Sequence, residues 1–105
     1  MAPDTNNEKL VGFPADLDYE EAVKYFADVV SEGYTNLLVD MFDTKYLVSR
    51  QVSVLVMLHK EVKTLGGKIC LINVNEDVYR IFDILNLDRI MPIERLSDSN
   101  PKKTN

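Results

Sequence analysis

Two short apolar runs, Asn36-Leu37-Leu38-Val39-Asp40-Met41 and Lys68-Ile69-Cys70-Leu71-Ile72-Asn73, constrain this chain more than any other feature. Each has the length of a strand and an apolar middle, the pattern of a strand inside a parallel sheet. Between them lies a helical pattern: Val52, Leu55, Val56, His59, Val62 and Leu65 recur on one face. Gly66-Gly67 ends it, because glycine takes the left-handed conformation that a helix exit commonly needs. Strand, helix and strand in this order imply a right-handed crossover and a parallel pair.

The flanking segments extend the alternation. Lys9 to Phe13 reads as a short strand that Pro14 ends or marks as an edge. Ala15-Asp16-Leu17-Asp18 is a turn, and Asp18 is expected to cap a helix from Tyr19 to about Glu32. Glu21 completes the capping-box spacing, and Glu20 and Glu21 suit the first turn. Ala22, Val23, Phe26, Ala27 and Val30 form the expected buried face, and Gly33 stops the helix. Asn75 caps a third helix, with Glu76 and Asp77 in its first turn and Val78, Ile81, Phe82 and Leu85 facing inward. Arg89-Ile90-Met91 is the expected last strand, at a sheet edge because Pro92 follows. The order predicts an α/β fold with a mainly parallel or mixed sheet of four strands covered by helices.

Composition sets the class. The chain has 105 residues, one domain, and 46% hydrophobic residues, enough for a packed core. Residues 1–8 and 97–105 are polar, proline-containing ends, expected to be flexible around a domain at 9–96. No apolar run reaches the roughly 20 residues of a membrane helix. The polar, partly acidic first residues are unlike a secretory signal. The single Cys70 excludes an internal disulfide and is expected to be an inert core thiol. These features point to the cytoplasm. The net charge of −5, with no basic run beyond Lys102-Lys103, argues against a nucleic-acid-binding face.

The chemistry-bearing candidate is Ser49, at the start of the middle helix after a buried strand. The loops carrying Asp16, Ser49 and Asn75 are expected at the C-terminal edge of the sheet, where functional groups collect in such folds. Spacing alone makes Ser49 a helix N-cap. Tyr46 and Leu47 are expected in the core and Val48 on the surface. Asp16, Asp18, Asp40 and Asp43 lack metal-ligand spacing, His59 has no nucleophile at catalytic spacing, and no glycine-rich phosphate loop is present. The expectation is a chain without metal or cofactor that is not an enzyme.

From Ala15 to Ile93 the chain resembles the STAS domain, the fold of bacterial anti-sigma-factor antagonists. The likeness is strongest over Leu65 to Val74, with its Gly66-Gly67 and third strand. It continues from Val78 to Ile93 through Leu87-Asp88. Ala15-Asp16-Leu17-Asp18 is similar to the family's Gly-Glu-Leu-Asp turn, and Leu38-Val39-Asp40-Met41 to the strand before its phosphorylation loop. That loop usually reads Asp-Ser-Ser/Thr-Gly-Leu-Gly. Here it reads Val48-Ser49-Arg50-Gln51-Val52-Ser53, keeping only the serine of the regulated position. The resemblance implies four strands, or five where the family's first strand is kept. Here that strand is expected to be shortened or absent, leaving an edge that a partner chain or a homodimer could cover.

In the family the unphosphorylated antagonist binds a serine kinase of the histidine-kinase-like ATPase fold, which doubles as an anti-sigma factor. Phosphorylation of the loop serine releases it, and a serine phosphatase restores binding. The resemblance therefore implies a phosphoprotein in signal transduction and transcription regulation by partner switching. Ser49 is the implied phosphoacceptor, with Ser53 a weaker second. Asp16, Asp18, Thr44, Lys45, Val48, Arg50, Gln51 and Ser53 are the implied partner-binding residues. The altered loop motif favours an alternative, a non-phosphorylated STAS scaffold or subunit acting through constitutive contacts.

Overall fold

The computed structural model describes residues 8–96, so the expectation of flexible ends lies outside the described residues except at Glu8. Glu8 opens the first strand instead of ending a tail. The strands are β1 Glu8–Gly12, β2 Asn36–Asp40, β3 Lys68–Val74 and β4 Ile93–Arg95. The helices are α1 Tyr19–Ser31, α2 Ser49–Thr64 and α3 Glu76–Ile84. All strands run parallel in the order β1-β2-β3-β4.

That order has a consequence the sequence did not show. Right-handed crossovers between consecutive neighbours place every helix on the same face of the sheet. Val11, Leu37, Val39, Ile69 and Leu71 are buried on this face with Phe26, Leu55, Leu58, Val62, Val78 and Phe82. The alternate residues are less covered: Leu38, Cys70 and Ile72 are half-buried and Leu10 is 60% exposed. The expected parallel sheet covered by helices forms, with the helices on one face, and Cys70 is a half-buried residue on the open face rather than a core thiol.

The expected caps form. The Glu21 N–H donates to Asp18 Oδ1 at 2.8 Å and the Asp18 N–H to Glu21 Oε1 at 3.2 Å, a complete capping box. The Asn75 side chain accepts from the Val78 N–H at 2.9 Å. Gly67 is required by space: a Cβ there would overlap the Thr35 carbonyl oxygen.

Several inward faces are rotated from expectation. In α1 Val29 is buried and Ala27 exposed. The buried stripe of α2 is Gln51, Val54, Leu55, Leu58 and Val62, while Leu65 is exposed. Apolar residues lie around most of this helix, and the sheet selects the stripe at 54, 58 and 62. In α3 Val78 and Phe82 are buried, whereas Ile81 and Leu85 are exposed. The last strand is also displaced. Asn86 takes a left-handed conformation, Leu87–Arg89 winds into a 3-10 turn, and Ile90 and Met91 N–H groups donate to Leu87 O. The strand starts only after Pro92, whose carbonyl accepts from the Leu71 N–H at 2.9 Å.

Candidate functional site

The loops after β1, β2 and β3 meet at the C-terminal rim of the sheet, where side chains tie them together. Gln51, 9% exposed, accepts from the Val48 N–H at 2.9 Å through Oε1 and donates to Ala15 O at 3.1 Å through Nε2. It thereby joins the start of α2 to the Asp16 turn. Asn75 Nδ2 donates to Thr44 O at 2.9 Å, joining the start of α3 to the loop after β2. Asp40 Oδ1 accepts from the Phe42 N–H at 2.9 Å and from Asn73 Nδ2 at 3.0 Å. Asn73 reaches it from a left-handed backbone at φ 57°, which asparagine tolerates better than most residues. Asp40 is thus a loop anchor. Among the described residues no three acidic, histidine or cysteine side chains are grouped to hold a metal ion.

Ser49 is the first residue of α2, and the N-cap is Val48, which contributes no side-chain hydrogen bond. The reading of Ser49 as the cap is therefore corrected. A valine side chain has no acceptor, and Gln51 binds the N-cap N–H from below. The Ser49 hydroxyl is exposed and makes no hydrogen bond with the described residues, whereas Ser53 Oγ donates back to Ser49 O at 3.2 Å. The first turn of α2 holds no acid, in contrast to Glu20 and Glu21 in α1 and Glu76 and Asp77 in α3. Its end retains uncompensated positive dipole, with the Arg50 side chain exposed beside it.

Two concavities open at the rim, and Ser49 lines the second. One, about 210 Å³, is polar and lined by Asp16, Asp43, Lys45, Tyr46 and Gln51. The other, about 340 Å³, runs between α2 and α3 along Leu47, Val48, Val52, Ile81 and Leu85, with Ser49 and Ser53 on its wall. Tyr46, expected in the core, is 74% exposed; Leu47 is half-buried and Val48 is at the surface as expected. Lys45 Nζ stands 5.3 Å from the centre of the Phe42 ring, which is itself exposed. Asp16, Asp18, Lys45, Val48, Arg50 and Ser53 all reach the surface. Thr44 and Gln51 do not: Thr44 is 2% exposed and both shape the rim from inside. Sequence reasoning missed Ile81 and Leu85 as rim residues. The available signal was that Val78 and Phe82 alone complete the inward stripe of a nine-residue helix.

A single parallel sheet, helices on one face and a serine at the head of α2 define a small α/β domain of STAS type. The chain belongs to the STAS domain family, which matches residues 10–99. It is 35% identical over 68 residues to a protein of Thermotoga neapolitana and 31% identical to one of Thermotoga maritima, both carrying names of anti-sigma factor antagonists. Each match covers 65% of this chain and 60% of the relative, so the matched stretch spans less than two thirds of those proteins. The crystal structure of the Thermotoga maritima antagonist superposes with a TM-score of 0.69 at 27% identity, covering 84% of this chain and 73% of that one. A STAS protein of Planctomyces limnophilus shares the fold, with a TM-score of 0.68 at 18% identity over 84% of this chain and 83% of its own. No helix among the described residues is long and apolar enough to cross a membrane.

Proposed function

We propose that this chain is a partner-switching regulator of the anti-sigma-factor antagonist kind, with the C-terminal rim as its docking surface and Ser49 as its phosphoacceptor. The observation that carries the reading is the exposed Ser49 hydroxyl at the first position of α2, in the wall of the groove that Val48, Val52, Ser53, Ile81 and Leu85 also line. The partner is a serine kinase of histidine-kinase-like ATPase fold that doubles as an anti-sigma factor, and a serine phosphatase reverses the modification.

The physical basis is local. A phosphate on Ser49 adds a charge of about −1.5 to −2. At a helix N-terminus it meets open backbone N–H groups and the dipole, with Arg50 beside it. No backbone rearrangement is needed. A partner shaped for a neutral hydroxyl meets a buried charge instead, and binding weakens by desolvation and repulsion.

A second reading is favoured by Gln51. The glycine expected there in the family loop is replaced by a side chain that fixes two loops. This suits a constitutive scaffold whose rim never changes. One experiment separates the readings. Intact mass and peptide mapping across residues 46–60, on protein from its native cells, supports the switch if a phosphoryl group sits on Ser49. Equal binding of Ser49→Ala and Ser49→Asp to the partner kinase defeats the switch and leaves the scaffold.

A further inference from the structure

We infer that the outer edge of β1 is a self-association surface, on which a second copy of this chain docks its own β1 antiparallel about a two-fold axis at Leu10. The Phe13 N–H donates to Asp40 O at 2.9 Å. By the alternation of a strand, Lys9 and Val11 also direct their backbone groups to β2. Glu8, Leu10 and Gly12 then direct theirs away from the sheet, and among the described residues nothing pairs with them. These outward groups are spaced symmetrically around Leu10. Antiparallel self-pairing sets Leu10 against Leu10 of the second copy and Glu8 against its Gly12, using every outward donor and acceptor of β1 in about six hydrogen bonds.

The side chains agree with this occupant. Leu10, Leu38 and Cys70 form one row across the open face of the sheet, and the row stops at the edge with Leu10 60% exposed. Pairing continues it into the second copy and covers Leu10 with its counterpart. No like charges oppose each other, since Glu8 faces Gly12 and Lys9 faces Val11. Of the two charges on β1, Glu8 stays exposed at the end of the edge, opposite Gly12 of the second copy, and Lys9 is turned aside, its Nζ 4.8 Å over the Tyr34 ring. The opposite edge is protected. β4 is three residues long and carries the exposed Glu94 and Arg95. The resulting eight-stranded sheet leaves both Ser49 rims free, facing opposite directions.

The test is sedimentation equilibrium of the full chain, wild type and variants, from micromolar to millimolar concentration. The wild type is expected to sediment at twice the chain mass. Leu10→Pro removes one outward N–H that β2 does not use, and is expected to be a monomer with unchanged circular dichroism. Leu10→Lys keeps every backbone group but sets two ammonium groups across the axis, raising the dissociation constant about tenfold or more. In a Cys70→Ser background, Leu10→Cys is expected to form an intermolecular disulfide, since such pairs stand about 5.5 Å apart between Cα atoms. A wild type that stays monomeric throughout overturns the proposal. So does a dimer that Leu10→Pro and Leu10→Lys leave intact, which would place another surface, or another strand over β1, at work.

Discussion

Gln51 Nε2 donates to the carbonyl of Ala15 at 3.1 Å, so the head of α2 is fastened to the turn that starts α1 across 36 positions of sequence. The same side chain holds the Val48 N–H. Gln51→Ala leaves a poorly solvated donor and acceptor unpaired and is expected to cost about 1–3 kcal/mol. Urea denaturation should show a lower midpoint at unchanged slope, and Leu→Met changes elsewhere in the core should not reproduce the accompanying loss of loop order seen by hydrogen exchange at Ala15 to Leu17.

The two glycines after α2 are expected to respond differently to the same change. Gly67→Ala sets a methyl group into the Thr35 carbonyl, which belongs to rigid backbone, and is expected to lower stability by about 2 kcal/mol or more. Gly66 has φ 83° with open space around it, so Gly66→Ala carries only the conformational penalty of about 1–2 kcal/mol. Thermal melts of both variants should rank in that order.

Ser49→Asp is expected to stabilise the isolated domain slightly, by about 0.3–1 kcal/mol, because it supplies the acid that the first turn of α2 lacks. Ser49→Ala should be near neutral, since no hydrogen bond of the hydroxyl is lost. A cost near 1 kcal/mol for the alanine variant, the value for a lost cap, would contradict the placement of Val48 as N-cap. The gain from aspartate should shrink at high salt.

Burial pushes the Cys70 thiol above its usual pKa, and the charge of Glu94 and its contact at 3.9 Å add to this. The unfolded chain then loses the thiol proton before the folded one does. Stability is therefore unaffected below the unfolded pKa and falls as pH rises past it. Cys70 should alkylate more slowly than a free thiol near neutral pH. Glu94→Gln should speed alkylation, and Cys70→Ser should flatten the alkaline limb of stability.

The fold was legible in the sequence wherever a residue type has a single local use. Asp18 with Glu21, Asn75, Gly33 and Gly66 fixed the helix ends because caps and left-handed exits admit few alternatives. Arg89-Ile90-Met91 reads as a strand because Ile90 and Met91 are apolar, and only the turn that Asn86 and Leu87 begin winds them out of the sheet. Spacing alone predicts Ser49 as the cap, because nothing in Val48 signals that Gln51 serves its N–H from three residues away. Apolar character predicts Tyr46 inward and helical spacing predicts Ile81 and Leu85 inward, yet all three are exposed. Ile81 and Leu85 line the groove beside α2 and Tyr46 the concavity at the rim, positions set by how separate elements pack and not by any local pattern.

The bonds from Gln51 and Asn75 also bear on kinetics. They join three loops into one surface before any partner arrives. Little backbone has to be ordered on encounter, so association should proceed in a single second-order step without a slow folding phase. Its rate constant should lie in the ordinary range of about 10⁵–10⁷ M⁻¹s⁻¹ for rigid docking. Under the proposed switch, phosphorylation of a surface already set in this way is expected to change how long a complex lives more than how often it forms.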